Sequence, residues 1–304
     1  MPGDAVSLPF SRVSCCGTLR RPMSEPHSPT HPQRKDEHFT CPHLGGVELH
    51  AAHWGDLDAG RTLVLLHGGG AGAHWWEHLA PRLAPGRHVV ALDFRGHGAS
   101  GHPAEVKAGA FREDLLGLLE HLERPEATLV GHSMGAHVAA EHAAAHSETS
   151  GLVLMEPSRG ASRRRRRAAR LALIMRRTYP TREQAVARFR FLPAAAHAAE
   201  PLRHSIAERS VRQEPDGRWA FNFDPRWFSV AGGRRVDFSS IACPTLVLRG
   251  TESPLLTAEG ARELAAEITG AQLLEIPAAG HHIQVDQPSA VESALLSFLS
   301  QHGL

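Results

Sequence analysis

At 304 residues with 42 % hydrophobic content, the chain can bury a large core, and one α/β domain carrying an insertion accounts for its length. A formal net charge of +1 gives no global pull toward nucleic acid, and no run approaches the roughly 18 apolar residues of a membrane helix. The four cysteines, Cys15, Cys16, Cys41 and Cys243, have the spacing of neither a disulfide framework nor a zinc site, so a reducing cytoplasm is the expected compartment.

Residues 1–37 are rich in Pro, Ser, Arg and His without apolar periodicity, and a disordered extension is expected there. The apolar stretch 5–10 is short and interrupted, against the roughly 7–15 residues a secretory signal needs. The first run of strand character, 62–67, ends in Gly68, Gly69 and Gly70. A buried parallel strand that stops in glycines can aim N–H groups at an oxyanion. Trp75 and Trp76 come next, either lining an acyl site or, more commonly for aromatics so placed, packing a helix onto a sheet. A second run, 89–93, closes with Phe94-Arg95-Gly96-His97-Gly98. Helical patterning over 111–123 then leads to a third, 128–130.

Directly after that run stands Gly131-His132-Ser133-Met134-Gly135, a G-x-S-x-G nucleophile elbow. Its serine must stand on a strained strand-to-helix turn, and the flanking glycines remove side chains that would collide there. The pattern predicts Ser133 as a nucleophile. On the alanine-rich helix that follows lie His137, Glu141, His142 and His146. His142 and His146 have the spacing of a metal pair but lack a third ligand, so surface positions are expected and no metal. Strand 151–155 precedes Glu156 and Pro157, strand 245–249 precedes Gly250-Thr251-Glu252-Ser253-Pro254, and helical patterning over 257–269 leads to a last strand, 272–276. Strands alternating with helices predict a mostly parallel sheet.

From 157 to 237 strand-like runs vanish and Arg and Ala accumulate, with helices expected over 162–177, 182–191 and 201–212. Arg163 to Arg167 reads as a solvated helix face, since adjacent residues diverge by about 100° on a helix and cannot all meet one partner. Phe189, Phe191, Trp219, Phe221, Phe223, Trp227 and Phe228 suggest a pocket lining or the insertion's own small core.

From about residue 40 onward these motifs, in this order, resemble the α/β-hydrolase superfamily. His67-Gly68-Gly69-Gly70 is similar to its oxyanion loop, 93–100 to the turn after the following strand, and 131–135 to its elbow. Ala279-Gly280-His281 with Asp286-Gln287-Pro288 resembles the loop that delivers a catalytic histidine and the start of the final helix. The resemblance implies an α/β core over 38–156 and 238–304 and a helical cap over 157–237. It favours His281 over its neighbour His282 as the base for Ser133, and implies oxyanion donors on the backbone of Met134 and Gly69, with Gly70 as the alternative.

The acid departs from the commonest family pattern, which puts an aspartate where this chain has Ser253. A carboxylate after strand 151–155 also occurs in the superfamily, and the turn at 250–254 resembles a bacterial esterase branch of that kind. Glu156 is therefore preferred and Glu252 is the alternative. Ser253 is a hydrogen-bonding auxiliary or a turn residue. Asp93 and His97 precede the serine, against the order this fold requires, and belong to a structural turn.

The expected activity is hydrolysis of a small carboxylic ester through an acyl-enzyme, without a cofactor. Other acyl or carbon–carbon bonds, or perhydrolysis, would use the same machinery. Haloalkane dehalogenase and epoxide hydrolase activities are disfavoured, because those relatives carry an aspartate at the position of Ser133. A small-molecule acyl substrate is expected as partner, with neither nucleic acid nor membrane. A non-catalytic binding protein of this fold is the alternative from another class.

Overall fold

The computed structural model describes residues 33–42, 45–105, 107–160, 177–227 and 236–304. The expected extension up to residue 32, the arginine run at 163–167, Phe228 and all but the end of the helix expected over 162–177 lie outside the described residues.

In chain order the strands are β1 (Lys35–Thr40), β2 (Glu48–Gly55), β3 (Thr62–Leu66), β4 (His88–Asp93), β5 (Thr128–His132), β6 (Gly151–Met155), β7 (Thr178–Tyr179), β8 (Val211–Gln213), β9 (Trp219–Phe221), β10 (Thr245–Gly250) and β11 (Gln272–Ile276). The helices are α1 (Ala80–Leu83), α2 (Ala110–Leu122), α3 (Met134–Ala143), α4 (Arg182–Arg188), α5 (Glu200–Arg209), α6 (Ala258–Glu267), α7 (Ile283–Asp286) and α8 (Pro288–His302). The main sheet runs β1-β2-β4-β3-β5-β6-β10-β11. It is parallel from β4 onward, with β2 and β1 added antiparallel at one edge.

Continuous apolar runs suit strands buried on both faces. Val64 and Leu66, Val90 and Leu92, Leu152 and Leu154 turn to one face, where Leu115, Leu118 and Val138 of α2 and α3 pack. Their neighbours Leu63 and Leu65, Val89, Val153 and Met155 turn to the other, against Leu83 of α1 and Leu295 and Leu299 of α8. Period-two alternation thus divides one sequence run between two cores. Between β3 and β5 the chain has gone out to β4 and come back. The loops leaving two adjacent parallel strands then diverge and open a crevice at their carboxyl ends.

Two expectations need correction. β1 starts at Lys35, inside the segment 1–37 assigned to the extension. β1 has Phe39 as its one buried residue, so it carries almost no apolar signal. Pairing with β2 supplies its backbone bonds, and its acids meet histidines of that strand, Asp36 with His50 at 2.8 Å and Glu37 with His53 at 3.3 Å.

The insertion is also not purely helical. The expected helix over 182–191 stops at Arg188, where Phe189 turns extended. The one expected over 201–212 stops at Arg209, and residues 211–213 enter an antiparallel sheet ordered β7-β9-β8. This small sheet is stitched to the core by backbone. Gly98 N–H donates to Asn222 O at 3.1 Å, Asp224 N–H to Gly96 O at 2.7 Å, and His97 bridges Phe223.

Candidate active site

β5 delivers Ser133 at its carboxyl end, and the elbow it predicts is present. Ser133 holds φ 52° and ψ −110°, a strained conformation that lifts its side chain off the start of α3. A Cβ on Gly131 would lie 2.3 Å from Gly135 O, and one on Gly135 would lie 2.3 Å from Leu66 O, so both positions require glycine.

Three loops from other strands converge on this serine. The loop after β11 places His281 Nε2 2.9 Å from Ser133 Oγ. β6 ends directly before Glu156, whose Oε2 is 3.1 Å from His281 Nδ1. When Glu156 is ionised its carboxylate can only accept, so Nδ1 then carries the proton and Nε2 is left to accept from the serine hydroxyl. After β10, Gly250 N–H donates to Glu156 Oε1 at 2.6 Å and Ser253 O–H to Oε2 at 2.5 Å. Ser253 Oγ in turn accepts from the N–H groups of Leu255 and Leu256 at 3.2 and 3.1 Å. The serine at the commonest family acid position thus holds the Glu156 carboxyl instead.

Glu252 is not brought to the histidine. Its side chain is 53 % exposed and pairs with His197 at 2.8 Å. Asp93 and His97 also stand apart from the serine. Asp93 accepts from the N–H groups of Ala73 and Ala99 and lies 2.7 Å from His50 Nδ1, which fixes the turn. His97 is fully buried among Phe111, Phe223 and Trp227.

Burial acts on both members of the acid–base pair. It holds the His281 imidazole below the usual histidine range. It pushes the Glu156 carboxyl up, against the opposing hydrogen bonds from Ser253 and Gly250 and the charge of Arg249. The guanidinium of Arg249 is itself fixed by Leu256 O at 2.9 Å and Glu275 at 2.7 Å.

The glycine loop passes beside the nucleophile, since a Cβ on Gly68 would come within 3.2 Å of Ser133 Cβ. Gly135 N–H donates to His67 O at 3.1 Å, tying that loop to the elbow. Met134 opens α3, where early N–H groups have no intrahelical acceptor. Among the described residues neither its N–H nor those of Gly69 and Gly70 donate to a backbone oxygen. The two tryptophans divide the roles considered for them. Trp76 is fully buried in the core under the sheet, while Trp75 packs against Phe191 at 5.1 Å, His282 at 5.3 Å and Phe189 at 6.5 Å.

Two residues named above only as parts of motifs, His132 and Asp286, also make contacts near the site. His132, the residue inside the elbow, donates from Nε2 to His281 O at 2.9 Å and so ties the elbow to the histidine loop. Asp286 accepts from Gly280 N–H at 2.8 Å and from His197 N–H at 3.1 Å, linking the insertion to the histidine loop. His281 and His197 lie 149 and 89 positions from their partners, and only a structure joins them. His142, expected at the surface, is buried and stacks on His146 at 4.2 Å, and α3 ends before His146.

Residues 63–294 match the sequence profile of the Alpha/beta hydrolase family. The (E)-2-((N-methylformamido)methylene)succinate hydrolase of Acinetobacter baylyi is 26 % identical over 261 residues, 82 % of this chain and 94 % of that protein. An esterase of Mycobacterium tuberculosis is 28 % identical over 259 residues, 80 % of this chain and 83 % of the esterase. The chain also matches, at 29 % identity and over 82 % of its own length, a dihydrolipoyllysine-residue acetyltransferase component of an acetoin cleaving system from Pseudomonas putida, spanning 66 % of that protein. Among solved structures, an E-2-(acetamidomethylene)succinate hydrolase aligns with a TM-score of 0.76 and 21 % identity over 88 % of this chain and 100 % of that one, a likeness of fold.

Proposed function

Because the chain belongs to the α/β-hydrolase family, we propose that it is a serine hydrolase cleaving a small carboxylic ester, with Ser133 as nucleophile, His281 as base and Glu156 as orienting acid. The observation that carries this reading is the unbroken chain from Ser133 Oγ through His281 to Glu156, at 2.9 and 3.1 Å. Ser133 Oγ attacks the acyl carbon while His281 Nε2 takes its proton. Oxyanion charge falls on the N–H groups of Gly69 and Met134. His281 then returns the proton to the leaving alcohol. Water repeats the sequence on the acyl-enzyme, with His281 as base again, releasing the acid. The scheme uses only the chain's own residues.

A second reading, hydrolysis of a different bond on the same triad, draws support from the likeness to the Acinetobacter baylyi succinate hydrolase. Cys41 and Cys243 are free thiols, which supports a reducing, cytoplasmic setting. Intact-protein mass after treatment with a fluorophosphonate tests the reading. A single adduct is expected on the wild type and none on Ser133→Ala. No adduct on the folded wild type would favour the binding-protein alternative.

A further inference from the structure

Gly69 is a glycine for a reason that its backbone does not supply. Its φ lies outside the left-handed region, so an alanine there would carry no backbone strain. An ideal Cβ would nevertheless lie 2.3 Å from both Cη2 and Cζ2 of Trp227. The next nearest atom, Cε2 of the same indole, is 3.6 Å away. One ring is therefore the whole obstacle to a side chain at this position.

That ring comes from the insertion. Trp227 is 4 % exposed and packs against His97 at 5.4 Å and Phe111 at 5.8 Å. Its backbone N–H donates to Asp224 O at 3.4 Å, and Asp224 is one of the residues bonded to the core turn. The indole is thus anchored independently of the loop it touches. That loop, Gly68 to Gly70, has no side chains of its own with which to pack, and consecutive glycines have the freest backbone of any sequence. Oxyanion stabilisation needs donors held at a fixed distance from the developing charge.

We propose that Trp227 is a positioning residue: its indole, seated on Gly69, fixes the peptide whose N–H serves the oxyanion, so the insertion completes a site otherwise built from the core. The proposal rests on the serine-hydrolase reading, but its geometric half stands apart from it.

A double-mutant cycle tests both halves with wild type, Gly69→Ala, Trp227→Phe and the double variant, assayed on p-nitrophenyl acetate and by thermal unfolding. Phe stops short of the two indole carbons that exclude a methyl group. Trp227→Phe is expected to lower kcat about tenfold with KM within about twofold, as a loosened transition-state donor should. Gly69→Ala is expected to cost about 100-fold in kcat beside Trp227 but no more than about threefold beside Phe, because the methyl then fills the vacated space. Equal costs in the two backgrounds would overturn the seat. A raised KM with unchanged kcat in Trp227→Phe would overturn the positioning role. If the wild type neither cleaves esters nor takes up the fluorophosphonate, the reading of the reaction fails, and the seat is read from unfolding alone. In that case Gly69→Ala lowers Tm beside Trp227 and not beside Phe if the seat is real, and equally in both if it is not. Trp227→Leu replaces Trp227→Phe in the cycle should the latter not fold.

Discussion

Glu156 and Glu252 differ less in chemistry than in surroundings. The first is fully buried, with three polar groups converging on its carboxyl, and the second points into solvent beside His197. Glu156→Gln is expected to lower kcat by about 10²–10⁴, since an amide at this site no longer enforces the productive tautomer of His281. Glu252→Gln removes an exposed pair of small worth and is expected to change kcat by less than about threefold. Steady-state kinetics on one ester decide between them, and the opposite ranking would move the acid to Glu252. The base makes its own prediction. As the proposed base, His281 would work when unprotonated, and burial lowers its pKa from the ordinary 6.5. The acid limb of kcat/KM is therefore expected below pH 6.5, with activity retained as pH falls through that value. A limb at or above it would contradict the burial argument. Ser133 stood out at this scale because a short motif carries it, and Glu156 because it follows the strand 151–155. His132 did not, since its partner His281 is 149 positions away.

Among the elements, β3, β4, β5, β6 and β10 announced themselves as apolar runs, and each lies buried on both faces of the sheet. β1 escaped notice because its stability comes from pairing and from acid–histidine contacts, which leave no periodic trace. The strands β7 to β9 are two or three residues long, too short for any alternation to register. The segment after the glycine loop shows how an element earns its place by packing. The short 3₁₀ helix Ala73–Trp76 puts Trp76 wholly inside the core, beside Leu79 and Leu83. Trp76→Ala is expected to destabilise the fold by about 3–5 kcal/mol through lost burial and the cavity left behind. Urea unfolding would register this as a lower midpoint at unchanged slope. A loss under about 1 kcal/mol would mean that the surrounding core closes over the gap.

At the scale of the whole molecule, the sheet order brings together three chain segments that sequence reading could name one by one but not assemble. Strands β5, β6 and β10 are adjacent, so the residues following them meet at the carboxyl ends of these strands: Ser133, Glu156, and Ser253, which holds the Glu156 carboxyl. The order of motifs along the chain hinted at this much. The insertion stayed opaque because its aromatic residues serve both its own packing and the core, as Trp227 does, and composition cannot tell those duties apart. No helix among the described residues is long and apolar enough to cross a membrane.

The backbone ladder between residues 96–98 and 222–224 has a bearing on how such proteins diversify. A segment tied to its host by main-chain bonds is not a cassette. Exchanging the insertion with that of a relative at its sequence boundaries would leave the turn after β4 without its partners, exposing Gly98 N–H and Gly96 O. Recombination that preserves the fold must keep a backbone of this course beside the turn, so two stretches far apart in the gene share one constraint.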